Sequence, residues 1–137
     1  MKVLLDTNVL LDAIEVRKEF FDDSSMVVLL ATEYEGFIVA SNVTDIYYIE
    51  HKRNHSKEKT KTIMDKLFKI FDILDTTAED CRNALRSDIS DFEDAVTVES
   101  AKRNGIDCIV TRNAKDFKNS SIPVYTPVEF LRMLKAL

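Results

Sequence analysis

The sequence predicts an α/β fold in which a parallel sheet is covered by helices on both faces. Three observations lead there. Short, mainly apolar runs at residues 2–5, 37–40, 71–75 and 107–111 alternate with longer stretches whose apolar side chains recur at helical spacing. Strands that are apolar on both faces belong in a sheet sandwiched between helices. Two Gly and two Pro in 137 residues are too few for a loop-rich all-β chain.

Each element follows from local chemistry. Residues 2–5 are too few for a helix and end at Asp6, so they read as a buried strand. Thr7 and Asn8 can cap a helix whose Val9, Leu10, Ala13 and Ile14 share a face. A second helix is expected after the polar cluster 22–25, stopping at Gly36. Residues 37–40 supply the next strand, and Ser41 and Asn42 open a helix carrying Ile46, Tyr47 and Ile49. Ser56 starts another, with Ile63, Met64, Leu67, Phe68 and Phe71 along one face, and residues 71–75 form the third strand. Thr76 or Thr77, followed three residues later by Glu79 or Asp80, is a capping box. Residues 91–104 predict a helix stopped by Gly105, then a fourth strand at 107–111 and polar loop at 113–121 apart from Phe117. Thr126-Pro-Val-Glu gives a cap, Pro at the first helical position and an acid at the third, opening a terminal helix. No linker or repeat interrupts the chain, so one domain over 1–137 is expected.

Composition limits the function. The longest apolar run, residues 26–31, is far short of the ~20 residues that span a bilayer, and Asp6 interrupts any leader-like segment, so a cytoplasmic protein is expected. Cys81 and Cys108 have no metal-like spacing and read as reduced, packed thiols. Nineteen basic and twenty-four acidic residues give a net charge of −5, which disfavours coating nucleic acid by bulk electrostatics. Any nucleic-acid chemistry must then rest on local features. An acidic surplus suits a site that gathers carboxylates around a cation.

Open parallel sheets place their sites at the carboxyl ends of strands, near a switch in strand order. Here Asp6-Thr7-Asn8, Ser41 to Asp45, and Thr111-Arg112-Asn113 follow strands, while Asp91, Glu93 and Asp94 begin the helix that feeds the fourth strand. Each acid alone has an ordinary explanation as a turn residue or as a complement to a helix dipole. Together, like charges at one sheet edge repel, and a divalent cation is the usual compensation. Hard oxygen ligands without a Cys or His set suit Mg²⁺ or Mn²⁺.

Asp6-Thr-Asn-Val-Leu-Leu-Asp12, Thr44-Asp45-Ile-Tyr-Tyr, Asp91-Phe-Glu-Asp94-Ala and Ile109-Val-Thr-Arg-Asn113-Ala-Lys-Asp116-Phe117 resemble, in order and spacing, the successive motifs of PIN-domain proteins. The branch that includes VapC-like toxin nucleases is the most similar. The resemblance implies a three-layer α/β/α sandwich with a central parallel sheet and Mg²⁺- or Mn²⁺-dependent endonucleolytic cleavage of RNA. It also implies a cognate antitoxin partner and a homodimer. By position, Asp6, Asp45 and Asp94 match the family's first three acids and are the catalytic candidates. The fourth acid is replaced by Asn113, with Asp116 three residues later and Asp91 one turn before Asp94 as a supporting acid. Asp6, Asp94, Asn113 and Asp116 are thus the metal candidates. A cation there would polarise a phosphate oxygen and activate a water, with Asp45 orienting that water or accepting its proton. Thr7, Thr111 and Arg112 are the candidate RNA contacts.

Two other classes compete. An Asp-based phosphatase would suit Asp6 at a strand end, but wants a second Asp where Asn8 stands. A PIN-fold binding module with little or no catalysis would suit the neutral Asn113. Several eye-catching residues have plainer readings. His51 and His55 lack a third ligand and mark a solvated helix end. The basic run from Lys52 to Lys61 reads first as a solvated face, with guidance of an RNA backbone beside an acidic pocket as the alternative, and Tyr47 and Tyr48 read first as core or interface aromatics, with base stacking as the alternative. Asp12, six residues beyond Asp6, points to a different azimuth and is structural or partner-facing.

Overall fold

In the computed structural model, which describes residues 1–17 and 20–137, the described residues form five strands and seven α-helices. In chain order they are β1 (Lys2–Leu5), α1 (Thr7–Ile14), α2 (Phe21–Leu29), β2 (Glu35–Val39), α3 (Ala40–Asn54), α4 (Lys57–Ile70), β3 (Asp72–Leu74), α5 (Ala78–Ala84), α6 (Phe92–Arg103), β4 (Cys108–Val110), β5 (Val124–Tyr125) and α7 (Pro127–Ala136). The strands pair in the order β3-β2-β1-β4-β5, all parallel.

Strand alternation divides the core into two layers. Val3, Leu5, Ile38, Cys108 and Val110 face α1, α2, α3, α4 and α7, meeting Val9, Leu10, Val27, Ile46, Met64, Leu67 and Phe130. Leu4, Val39, Leu74 and Ile109 face α5 and α6, meeting Ala84, Ala95, Val98 and Ala101. The architecture is therefore a three-layer α/β/α sandwich around a parallel sheet. Burial pushes the Cys108 thiol up to about 12, so it is an inert packed group. Arg103 at the end of α6 donates to both carboxyl oxygens of Asp80 and to Asp75, which ties the helix carrying Asp94 to α5 and the end of β3.

Some local expectations are corrected. Gly36 does not stop a helix; it lies inside β2, where an added Cβ would stand 2.5 Å from a ring carbon of Phe71. The cluster 22–25 does not precede a helix but belongs to α2. Asp6 itself caps α1, its Oδ1 accepting from the Thr7 backbone N–H at 2.8 Å, so Thr7 and Asn8 are already helical. A fifth strand, β5, follows the loop, and that loop holds a 3-10 turn at Ala114–Phe117.

Candidate active site

Strand order runs outward from β1 to β3 and then jumps back to β4, which places the switch between β1 and β4. Asp6 ends β1 and Thr111 ends β4, and the Asp6 backbone N–H still donates to the Val110 carbonyl at 2.9 Å. Such a crevice, where the chain leaves one strand toward β2 and its neighbour toward β5, is the ordinary binding place of open α/β sheets.

A cleft of about 360 Å³ opens there, lined by Asp6, Thr7, Asn8, Asp91, Glu93, Asp94, Asn113 and Asp116, with Leu11, Arg17, Ile49 and Phe117. Asp6 is the most fully tied of the acids. Its Oδ2 accepts from the Thr111 hydroxyl at 2.8 Å and from Asn8 Nδ2 at 3.3 Å. Asn8 also accepts from the Arg112 backbone N–H at 3.1 Å, so it rivets the β1 end to the β4 end. Asn8 was not foreseen as a site residue; its signal was only its place two residues after Asp6. The Thr7 hydroxyl is buried with no partner among the described residues.

Asp94 reaches the cleft from the first turn of α6, whose start is fixed by the Asp91 carboxylate accepting from the Asp94 backbone N–H at 3.0 Å. Burial, followed by the charges of Asp6, Asp91, Asp116 and Glu93, pushes the Asp94 carboxyl up to about 7. Asp6 is raised too, chiefly by burial and against the lowering effect of Thr111, with Asp116 adding to the rise. Glu93 is raised by burial and by the charges of Asp45, Asp91 and Asp6. The structure thus brings Asp6, Asp91, Asp94, Asn113 and Asp116 to one cleft. Asp45 is exposed on α3 and is not among the lining residues, although its charge reaches Glu93. Arg112 turns aside from the cleft; its guanidinium carbon sits 4.2 Å from the centre of the Phe20 ring and its Nε 3.4 Å from Asp12. His51 stacks on Tyr47, and His55 closes α3 in the left-handed region with φ 56°, so neither joins the cleft.

The donor set is carboxylate and amide oxygen throughout, and its charges repel one another, which is the chemistry of a divalent-cation site. Among the described residues no group of three His, Cys, Asp or Glu side chains is already arranged around one point.

The family model described as PIN domain matches residues 2–115. The chain belongs to the PIN-domain family. Members of this family are typically nucleases and generally use divalent metal ions. Solved structures of PIN-fold proteins are similar over nearly the whole chain. FitAcB from Neisseria gonorrhoeae has a TM-score of 0.69 at 17% identity, covering 92% of this chain and 98% of that one. A toxin-antitoxin complex from Klebsiella pneumoniae gives 0.67 at 22%, covering 91% and 97%. VapBC2 from Rickettsia felis, bound to a DNA fragment from its promoter, gives 0.65 at 21%, also covering 91% and 97%. At these identities the likeness concerns the fold. No curated protein sequence matches the chain significantly. Among the described residues no helix is long and apolar enough to cross a membrane.

Proposed function

We propose that this PIN-domain chain is an endoribonuclease that hydrolyses RNA phosphodiester bonds with Mg²⁺ or Mn²⁺. The observation that carries the reading is the Asp94 carboxyl, pushed up to about 7 beside Asp6 and Asp116 in a cleft at the sheet's switch point. An acid held so far from its ordinary range by burial and then by like charges marks a place built for a positive partner. Asp6, Asp94 and Asp116 would hold the ion, with the amide oxygen of Asn113 as a neutral fourth donor. The bound ion would polarise a phosphate oxygen and lower the pKa of an attacking water.

The protein's own groups do the rest. Thr111 and Asn8 fix the rotamer of Asp6, so that its carboxylate is aimed before substrate arrives. Asp91 fixes the first turn of α6 and with it Asp94. Glu93 lines the cleft, and Asp45, outside that lining but with its charge felt by Glu93, is the proposed acceptor for the proton of the attacking water. Thr7, in the first turn of α1, lines the cleft where a phosphate oxygen would enter, whereas Thr111 is fully buried and serves Asp6 instead of meeting RNA. The domain is proposed to span residues 1–137.

By analogy with the toxin-antitoxin assemblies among its structural relatives, the chain is proposed to act as a toxin controlled by an antitoxin protein and to pair with a second copy. Exposed Met26 and Leu29 on α2, and Tyr48 and Phe68 on α3 and α4, are surfaces that such partners would cover. The decisive experiment incubates purified protein with single-stranded RNA and DNA in Mg²⁺, Mn²⁺ or EDTA, beside the Asp94→Asn variant. Metal-dependent cuts in RNA that vanish in the variant are expected. Binding without cleavage by the parent would point instead to the binding module; DNA cleavage alone would move the substrate class.

A further inference from the structure

Arg17 lines the acidic cleft together with Asp6, Asp94 and Asp116, yet it is a cation. The chain delivers it there by an unfavourable turn. After α1 ends, Val16 adopts φ 52°, a left-handed conformation that a β-branched side chain resists, and the Arg17 backbone N–H returns to the Asp12 carbonyl at 3.2 Å. The side chain is then gripped on two sides. Nη1 donates to Asp12 Oδ1 at 3.3 Å, while Nε and Nη2 donate to Glu15 Oε1 at 3.2 and 3.0 Å. Among the described residues these contacts engage three of the five guanidinium N–H groups and leave one on each terminal nitrogen. The side chain remains about one-third exposed, at 34%, against 0% for Asp12.

We propose that Arg17 is a phosphate-binding residue of the cleft, aimed by Asp12 and Glu15 to hold an RNA phosphate next to the scissile one. The proposal rests on the nuclease reading. Two N–H groups on a fixed planar fork are the geometry that grips phosphate oxygens, and a lysine could not reproduce it. Asp12 is the positioning residue. Its carboxylate is fully buried and faces two guanidiniums, Arg17 through Oδ1 and Arg112 through Oδ2 at 3.4 Å. With Arg112 also on Asp12, the buried carboxylate anchors the Arg17 guanidinium through Nη1 alone and holds its plane fixed. Among the described residues, Glu15 Oε2 and Glu50 Oε1 are buried without a hydrogen-bond partner, so the Glu15 carboxylate is held in place by Arg17 alone. Arg17 thus sets a cation with free N–H groups among the acids of the cleft, where an RNA backbone must be drawn in against a net charge of −5.

The test measures binding of a labelled single-stranded RNA oligonucleotide by fluorescence anisotropy, in Mg²⁺, across a range of salt. All variants are made in the Asp94→Asn background, so that the RNA stays intact, and parent cleavage is assayed alongside. Arg17→Gln is expected to weaken binding about tenfold at low salt. It should also make the log–log salt slope shallower by about 0.7, the share of one phosphate on a single strand, for every RNA sequence. Arg17→Lys should keep the slope and lose part of the affinity. A role confined to neutralising Asp12 would instead lower the melting temperature and leave slope and affinity alone, and that result overturns the proposal. Should Arg17→Gln fail to fold, Asp12→Asn/Arg17→Gln removes both charges together. The same shallower slope is expected there, and an unchanged slope counts against Arg17. If the parent cleaves RNA while the slope is unchanged, only this inference falls; if it neither binds nor cleaves RNA, the nuclease reading falls with it.

Discussion

The Thr111 hydroxyl at the end of β4 donates to Oδ2 of Asp6 at the end of β1 across 2.8 Å, joining residues 105 apart in sequence. Thr111 is fully buried and also accepts from the Asn113 backbone N–H at 3.2 Å, so one hydroxyl sets both the first acid and the loop that follows β4. Its bond lowers the Asp6 pKa against the larger effect of burial.

Thr111→Val keeps the shape and removes the hydroxyl. A stability loss of about 1–2 kcal/mol is expected from the unmet acceptor. Asp6 should then hold its proton to higher pH, and Mn²⁺ affinity near neutrality should fall about tenfold. Thr111→Ser should restore most of both. Thermal melts and Mn²⁺ calorimetry read the two effects; equal affinity in all three proteins would leave Thr111 with packing alone.

Asp94 predicts how metal-free protein responds to pH. In the unfolded chain it titrates near 3.8, and in the fold at about 7. Between those values the folded state keeps a proton that the unfolded state has lost, so stability falls as pH rises from about 4 to about 7 and stays low above that. At this half-buried position, with solvent screening allowed for, the effect is roughly 1–2 kcal/mol. Asp94→Asn should be the more stable protein at pH 8 in EDTA and the flatter one across the window. Saturating Mn²⁺ should remove the parent's disadvantage. Urea melts at several pH values, in EDTA, measure this directly. A parent whose stability rises through the window would mean that Asp94 is satisfied by donors and not crowded by charge.

Gly36 carries a prediction about the sheet. Phe71 is 1% exposed and has no room to swing away from the Cβ that Gly36→Ala would add at 2.5 Å. About 1–3 kcal/mol of destabilisation is expected from overpacking. Phe71→Leu in the same chain should recover part of it, because residues in contact do not add independently. A double variant as unstable as the sum of the singles would put the strain elsewhere.

What the sequence revealed was local, and what it hid was not. The capping box of α7 was legible because Thr126 and Glu129 exchange both of their bonds within four residues, at 3.3 and 2.9 Å. Asp6 and Asp94 were legible as strand-end and helix-start acids, since a parallel sheet gathers such residues at one edge. Gly36 was misread because its reason for being glycine is the ring of Phe71, thirty-five residues away. β5 was missed because two residues carry no periodicity; it exists through bonds from Ile109 to Pro123 and from Thr111 to Tyr125. Asp12 was placed off the site by its azimuth, and the pairing that gives it a bearing on the cleft runs through Arg17 and Arg112. Charge pairing of that kind leaves no trace in hydrophobic spacing.

The loop after β4 decides how tightly the cleft can hold an ion. Asn113 supplies a neutral oxygen where a carboxylate would add charge, and the 3-10 turn at Ala114–Phe117 brings Asp116 to the same cleft three residues later. The Asp116 charge is felt by both Asp6 and Asp94. Asp91 also faces the cleft, but its Oδ1 is engaged in capping α6. Asp116 is therefore the proposed substitute for the missing acid, and affinity should follow the count of charged ligands. In Mn²⁺ calorimetry on metal-free protein, Asp116→Asn should bind about tenfold more weakly and Asn113→Asp about tenfold more tightly. Asp91→Asn, which keeps an oxygen for the cap, should change affinity little. Asn113→Asp should also push Asp94 further up, steepening the fall in metal-free stability between pH 4 and pH 7. Asp116→Asn should flatten it. Opposite movements in affinity and in metal-free stability are the signature of a shared charge cluster. Unchanged affinity and an unchanged stability slope in both loop variants would place Asp116 outside the cluster and leave Asp6 and Asp94 to hold the ion alone.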